Sequence, residues 1–252
     1  MVRIGILGAN GRMGRAIADA APGLAVIAGG VDREGRVAGD HANAASLAEA
    51  CDVLVDFTSP EGLQAHLDAA VAAGTAILIG TTGLGDGHQR ALDAAASKIA
   101  LLQTANTSLG VNVLSFLVEQ AARLLGPDWD AEIVEMHHRH KLDAPSGTAL
   151  FLGAAVNRGR GAASETELNR FDRLNDGPQA REEGGVYYAS LRGGSVAGDH
   201  MVVLAGEGER IELGHRAESR AIFARGAVRG ALWLAGKPAG RYSMKDVLGL
   251  AQ

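Results

Sequence analysis

Val2-Arg3-Ile4-Gly5-Ile6-Leu7-Gly8-Ala9-Asn10-Gly11-Arg12-Met13-Gly14 is the stretch whose reading decides the fold. Val2 to Leu7 is a short apolar run stopped by Gly8. Arg12 to Ala21 then places Ala and Ile at i, i+4, the spacing of a helix face. A strand passing through three spaced glycines into a helix forms an anion-binding turn. Gly8 permits the tight exit, Gly11 lets backbone approach a pyrophosphate, and Gly14 lets helix and strand pack closely, while the helix start offers N–H groups to the anion. A second apolar run, Leu24 to Val31, is interrupted by Gly29 and Gly30 and followed by Asp32. That acid stands 18 positions beyond Gly14, near the ~20 at which a carboxylate meets the ribose hydroxyls of NAD. Arg33 beside it suits a 2′-phosphate, so tolerance of both NADH and NADPH is expected. The plainer alternative is an α/β turn that binds nothing.

The pattern continues outward. Ser46 to Cys51 reads as a short helix and Val53 to Phe57 as a buried strand. A helix follows from about Pro60 to Ala73, with Ser59 as N-cap and Gly74 beyond its end. Ala76 to Ile79 reads as a strand, 87–97 as a helix and Ile99 to Gln103 as a strand. Strands apolar on both faces and separated by helices predict a doubly wound parallel sheet. Gly80, Thr81 and Thr82, and Thr104, Ala105, Asn106 and Thr107, fall at the carboxyl ends of two of these strands. Ligands sit at such ends, so these residues are expected to line the nicotinamide ribose and ring.

Composition narrows the classes. The chain has 252 residues, enough for one large core or two modest ones. A net charge of −5 argues against a nucleic-acid binder. No apolar run approaches the ~18–20 residues of a membrane span, and the first residues lack the features of a signal peptide. A soluble cytoplasmic protein is expected. Cys51 is the single cysteine, which excludes an intrachain disulfide and any multi-cysteine metal site; the thiol reads as a small inert apolar group. Glycine is abundant, 35 residues against only 6 prolines and with no G-X-Y period, so it must serve backbone geometry rather than collagen or disorder.

After Asn106 the character changes. Leu109 to Leu125 is an amphipathic helix, Asp130 to His138 a strand and Ser146 to Asn157 a helix. Residues 158–185 read as loops with one short helix. Val186 to Leu191, His200 to Leu204 and Arg210 to Gly214 alternate like antiparallel strands of an open sheet with one wet face. Ala221 to Ala235 returns to helix, and Ser243-Met244-Lys245-Asp246 resembles a capping box.

The densest polar stretch is Glu135-Met136-His137-His138-Arg139-His140-Lys141-Leu142-Asp143-Ala144-Pro145-Ser146-Gly147-Thr148. A metal is not expected: adjacent strand residues point to opposite faces, and HExxH is absent. Acid–base chemistry fits better, with His137 or His138 titrating near neutrality and Lys141 as proton donor or point charge. Ser146-Gly147-Thr148 opens an apolar helix and supplies a second anion site. A substrate carrying carboxylates is implied. Arg192-Gly193-Gly194 and His200 admit two readings, groups facing the substrate or a bulge in a sheet used for assembly.

The strings GANGRMG, GTTG, EIVEMHHRHKLDAPSGTAL and LRGGSVAGDH resemble those of the 4-hydroxy-tetrahydrodipicolinate reductase (dihydrodipicolinate reductase) family over nearly the whole chain. The resemblance implies a Rossmann-like doubly wound domain from residues 1–108 and 219–252. It also implies an inserted α+β domain, residues 109–218, built on an open mixed sheet, which binds substrate and forms a homotetramer. It implies His137 as proton donor/acceptor, Lys141 as proton donor and His138 as a substrate-carboxylate ligand, with Ser146, Gly147 and Thr148 holding the other carboxylate. It implies cofactor contacts at Gly8, Ala9, Asn10, Gly11, Arg12, Met13, Asp32, Arg33, Gly80 to Thr82 and Thr104 to Thr107. The expected reaction is NADH- or NADPH-dependent reduction of a cyclic dicarboxylate in lysine and diaminopimelate biosynthesis, with no nucleic-acid or membrane partner. Two rivals remain: another nicotinamide-dependent, amino-acid-type dehydrogenase on the same plan, and a non-catalytic NAD(P)H sensor, which would need no proton donor.

Overall fold

Strand and helix alternate from the first residues of the computed structural model, which describes residues 1–33, 35–171 and 180–250. The chain runs through β1 (Arg3–Leu7), α1 (Arg12–Ala20), β2 (Val26–Asp32), β3 (Gly35–Ala38), α2 (Ala44–Ala50) and β4 (Val53–Asp56). A 3₁₀ turn at Pro60–Gly62 leads into α3 (Leu63–Ala73), followed by β5 (Ala76–Ile79), α4 (Asp86–Ala96) and β6 (Ala100–Gln103). Then come α5 (Leu109–Leu125), β7 (Asp130–His137), α6 (Gly147–Gly159), β8 (Asn169–Arg170), β9 (Val186–Arg192), β10 (Asp199–Gly206) and β11 (Glu209–Arg216). The last elements are α7 (Ala221–Leu234), β12 (Gly240–Tyr242) and α8 (Met244–Val247). Two units result, Met1–Leu109 with Ala221–Gln252, and Gly110–Arg220.

The first unit holds a seven-stranded sheet in the order β12-β6-β5-β4-β1-β2-β3. All its pairs are parallel except β2 with β3. Val53 and Val55 face a core built with α1, α7 and α8, while Leu54 faces the core under α2, α3 and α4. That two-sided burial produces the uninterrupted apolar runs of the sequence. It is a Rossmann-type sheet. β2 continues through Gly29 and Gly30, with register shifts against β1 and β3 on either side of them. A Cβ at Gly30 would lie 2.5 Å from that of Ala9. Two edge strands were not foreseen. β3 and β12 have only 4 and 3 residues, each starting with glycine, so neither makes a periodic signal. Ser59 makes no side-chain cap; the turn after it is 3₁₀, and the α-helix begins at Leu63.

The second unit holds a five-stranded mixed sheet, β11-β10-β7-β9-β8. Here the antiparallel reading needs correction. β10 is antiparallel to β7 and β11, but β9 runs parallel to β7 and to β8. The cause is α6 between β7 and β9: a strand that returns through a helical crossover comes back parallel. Helices α5 and α6 cover one face, packing Leu114, Val118, Leu152 and Val156 on Ala131, Ile133, Val186 and Val202. The other face is open but partly apolar, with Leu191 51% exposed. Within 158–185, where loops and one short helix were expected, the described residues carry the end of α6 and β8; positions 172–179 lie outside the described residues.

Gly14 of α1 packs directly on the backbone of the glycine turn. A Cβ on Gly14 would stand 2.4 Å from the Gly8 carbonyl oxygen and 2.7 Å from the Ala9 Cα, both backbone atoms with no freedom to yield. Gly14→Ala is therefore expected to lower stability by about 1–3 kcal/mol, measured by urea unfolding against wild type.

Candidate active site

In the first unit the turn Gly8–Gly14 is an open helix start. Gly8 takes φ +80°, the left-handed region. Gly11 is the N-cap of α1; it supplies no side-chain cap, and the first helical turn carries no acid. The helix N-terminus thus keeps its positive end for a bound anion. Asp32 closes the turn: its Oδ2 accepts the Asn10 N–H at 2.9 Å and its Oδ1 the Arg33 N–H at 2.8 Å. A carboxylate has about four acceptor positions, so room remains for two ribose hydroxyls. Gly8, Gly11, Asp32 and Arg33 line one cleft of about 990 Å³, a volume in the range of cofactor sites. The absence of a cap, the absence of a competing acid and the open cleft fit an anionic dinucleotide.

The same cleft contains residues that sequence reading passed over: Asn43, Phe57, Thr58, Glu61 and His66. Glu61 accepts a hydrogen bond from Ser59, which holds its carboxyl below the ordinary range. His66 is fixed by Asp56, a fully buried carboxylate at the end of β4, through Nδ1 at 2.8 Å. Asp56 Oδ1 also accepts the Thr58 N–H (3.0 Å), the Thr58 hydroxyl (2.6 Å) and the Thr81 hydroxyl (3.2 Å). Ala9, Asn10, Arg12, Met13, Gly80, Thr81, Thr82 and Thr104 to Thr107 are not among the residues lining this cleft. The 104–107 turn is held by its own bonds. Thr104 Oγ1 donates to the Asn106 carbonyl (2.7 Å), and Thr107 Oγ1 to the carbonyl of Phe223 on α7 (2.7 Å). Cys51 is buried, and burial pushes its thiol up to about 11, which keeps it protonated and unreactive.

In the second unit β7 alternates, with Ala131, Ile133, Glu135 and His137 on the buried face. The period of two thus carries two ionisable side chains onto the core face. His137 Nδ1 lies 2.6 Å from Glu135 Oε2. Arg192, opposite His137 on β9, grips Glu135 with both guanidinium nitrogens at 2.8 Å and also donates to the Asp143 carbonyl. Glu135 Oε1 accepts the Ser146 N–H at 3.2 Å. Burial alone would raise this carboxyl, but hydrogen bonds from Arg192, Ser190 and His137 pull it down to about 2. The register between β7 and β9 runs without a shift as far as His137 and Arg192, so Arg192 does not mark a bulge. It is the counter-ion of Glu135.

The strand ends at His137, and the loop 193–198 holds the residues after it: the His138 N–H donates to the Val196 carbonyl (2.8 Å) and the Gly193 N–H to the His137 carbonyl (2.9 Å). His138 Nε2 meets Arg220 Nη2 at 3.1 Å. Desolvation, and then the charges of Arg220, His140, His137 and Lys141, hold His138 below the ordinary histidine value. Lys141 Nζ is paired with both oxygens of Asp143, at 2.8 and 2.7 Å. Ser146 caps α6 by accepting the Ala149 N–H (3.1 Å), and its hydroxyl meets His200 Nε2 at 2.9 Å. Gly147 and Thr148 open that helix, and a Cβ on Gly147 would meet nothing within 4 Å. His200 stands edge-on to His137, ring centroids 5.0 Å apart. The alternation Ala131-Ile133-Glu135-His137 was the available signal for Glu135. Arg192 and His200 stood out in the sequence without an assigned role, and nothing local could have indicated their partners or Arg220. No group of three or more His, Cys, Asp or Glu among the described residues is arranged to hold a metal ion.

The Rossmann-type sheet with its open glycine turn, and the separate histidine–lysine unit, define the class: an NAD(P)H-dependent oxidoreductase. Family models described as "Dihydrodipicolinate reductase, N-terminus" and "Dihydrodipicolinate reductase, C-terminus" match residues 2–107 and 110–248. The 4-hydroxy-tetrahydrodipicolinate reductase of Zymomonas mobilis subsp. mobilis is 56% identical over 99% of this chain and 98% of its own. That of Methylocella silvestris is 47% identical over 99% and 97%. A dipicolinate-bound dihydrodipicolinate reductase from Paenisporosarcina sp. TG-14 shares the fold with a TM-score of 0.78 at 24% identity, over 96% of this chain and 97% of its own. The chain belongs to the dihydrodipicolinate reductase family, whose reductant is NADH or NADPH.

Two buried groups, His200 and Glu135, contribute to the acid stability. Burial lowers His200 to about 4 from an ordinary 6.5, so the unfolded chain protonates first as pH falls. The stability given by neutral His200 is complete above about pH 6.5 and drains away towards 4. For Glu135, with about 2 against 4.5, the corresponding loss runs from about pH 4.5 down to 2. Thermal melts of wild type are expected to fall between pH 7 and 4.5. His200→Gln should reduce the loss in that interval, the remainder belonging to His215 and His138, whose values are also lowered, and leave the loss below pH 4.5.

Proposed function

We propose that the chain reduces 4-hydroxy-tetrahydrodipicolinate to tetrahydrodipicolinate, with hydride delivered to C4 and loss of water, in lysine and diaminopimelate biosynthesis. The observation that carries the assignment of residues is the single loop from His137 to Thr148. It contains Lys141 and His138 and is held at both ends, at His137 and at Ser146, by one carboxylate, Glu135. Ionisable side chains and a helix start within one loop suit a small substrate bearing two carboxylates. His138 and the helix start at Ser146, Gly147 and Thr148 bind those carboxylates and orient the ring. The reduced nicotinamide supplies the hydride. Loss of the 4-hydroxyl as water first gives the conjugated C=C–C=N unit; hydride addition at C4 then moves electron density across it, and Lys141, with His137 beside it, delivers the proton that quenches it, a role worth about 10²–10⁴-fold. Gly8 to Met13, Asp32, Arg33, Gly80 to Thr82 and Thr104 to Thr107 hold the cofactor.

The assembly we propose is a homotetramer formed through the uncovered face of the mixed sheet. Val134, Met136, Leu191 and Met201 give that face an apolar centre, with Asp199, Glu212 and Arg216 around it. Open apolar faces of this kind are usually covered by a partner. The proposed location is the cytoplasm, and no described helix is long and apolar enough to cross a membrane.

Lys141→Ala should lower kcat at least about 10²-fold while NADH affinity, read by fluorescence titration, stays within about twofold. Wild-type turnover of enzymatically generated substrate in that variant would remove Lys141 from the mechanism. Met201→Asp, placing a charge in the open face, should convert the tetramer to smaller species by light scattering. An unchanged mass would move the interface elsewhere.

A further inference from the structure

Glu135 is the least expected residue of the second unit. Its side chain has no solvent exposure, yet it bonds at once to a histidine, an arginine fork and the first backbone N–H of a helix cap. Its neighbours on the paired strands are Ser190 on β9 and His200 on β10. Nothing in the family resemblance gave it a role.

We propose that Glu135 is a positioning residue of the reductase, acting through His137 and the start of α6. This inference rests on the assignment of His137 to proton transfer. The argument begins with donors and acceptors. An ionised carboxylate can only accept, so His137 Nδ1 must carry the hydrogen of the 2.6 Å bond. That fixes the ring orientation and leaves Nε2 as the working nitrogen. Gly198 lies against that nitrogen, and a Cβ there would stand 3.0 Å from Nε2. The glycine therefore leaves uncovered the one ring atom that Glu135 leaves free.

The second oxygen adds a distance constraint. Oε1 accepts the Ser146 N–H, so the carboxylate ties His137 to the residue that caps α6. The separation between the proton-transfer group and the carboxylate-binding helix start is then set by one rigid group rather than by the loop between them. Arg192 completes the device. Its planar fork holds both oxygens, which keeps the carboxylate ionised and stops it rotating. A lysine at 192 would keep the charge but not the two-point grip.

The test uses the enzyme and five variants: Glu135→Gln, Arg192→Lys, His137→Ala and the two doubles with His137→Ala. Glu135→Gln is expected to reduce kcat about 10²-fold with KM for NADH within about twofold, since the nucleotide unit is untouched. In a His137→Ala background the same substitution should cost less than about threefold more, because residues acting as one unit are not additive. Arg192→Lys should give an intermediate loss with the same dependence on His137, and it stands in if Glu135→Gln does not fold. A purely architectural Glu135 would lower activity by equal factors with and without His137, and that result overturns the proposal. So would an unchanged kcat in Glu135→Gln. A wild-type enzyme inactive on the cyclic substrate would instead overturn the functional reading beneath it, so the two failures are distinguishable.

Discussion

A carboxylate removed from water must be given hydrogen bonds by the protein around it, and each unit of this chain is organised about one such group. Asp56 ends the central strand β4, and Glu135 lies near the end of β7; both side chains are fully buried. Each is satisfied by a histidine Nδ1 and by the backbone N–H of a residue in the loop beyond. The cost of leaving such a charge unpaired is about 3–5 kcal/mol, a large fraction of the ~5–15 kcal/mol by which domains are stable. The loops at these strand ends therefore cannot drift without losing those bonds, and those loops carry the candidate site residues. Asp56 joins the turn after β4 to the GTTG turn through Thr81. Glu135 joins the histidine strand to the cap of α6.

The sheets show how far sequence patterning carries. Runs such as Val53-Leu54-Val55 are apolar on both faces because helices cover both, and that alone predicts a doubly wound sheet. The sheet edges left no such trace: Gly35–Ala38 and Gly240–Tyr242 are too short for any period. The direction of β9 was misread because alternation reports which face a residue takes, not which way its strand runs. That information lies in the crossover through α6.

The candidate site divides along the same line. The glycine turn, Asp32 and the segment His137 to Thr148 were legible because the chemistry is local: a helix start binds an anion, and clustered imidazoles and an amine move protons. Arg192 and His200 stood out but their roles could not be read, because their partners are distant along the chain. Arg192 reaches Glu135 across 57 positions, and His200 reaches Ser146 across 54. Only the strand register brings them together, and register is fixed by the whole sheet. Glu135 lies between these cases. A glutamate continuing the alternation of Ala131 and Ile133 is itself a sign that something must neutralise it, although not what.

The state of Lys141 connects this architecture to turnover. Its ammonium is held by both oxygens of Asp143, whose side chain is 61% exposed. Exposed pairs of this kind are worth about 0–1 kcal/mol, in contrast to the Arg192–Glu135 pair, which is enclosed at the carboxylate. Under the proposed reaction, a substrate carboxylate would draw Lys141 from Asp143 at little cost, while Arg192 would stay on Glu135. The two cations flanking this loop thus have different roles under the proposed reaction. One is available for exchange, and the other stays fixed so that the histidine and the helix start keep their spacing while it occurs.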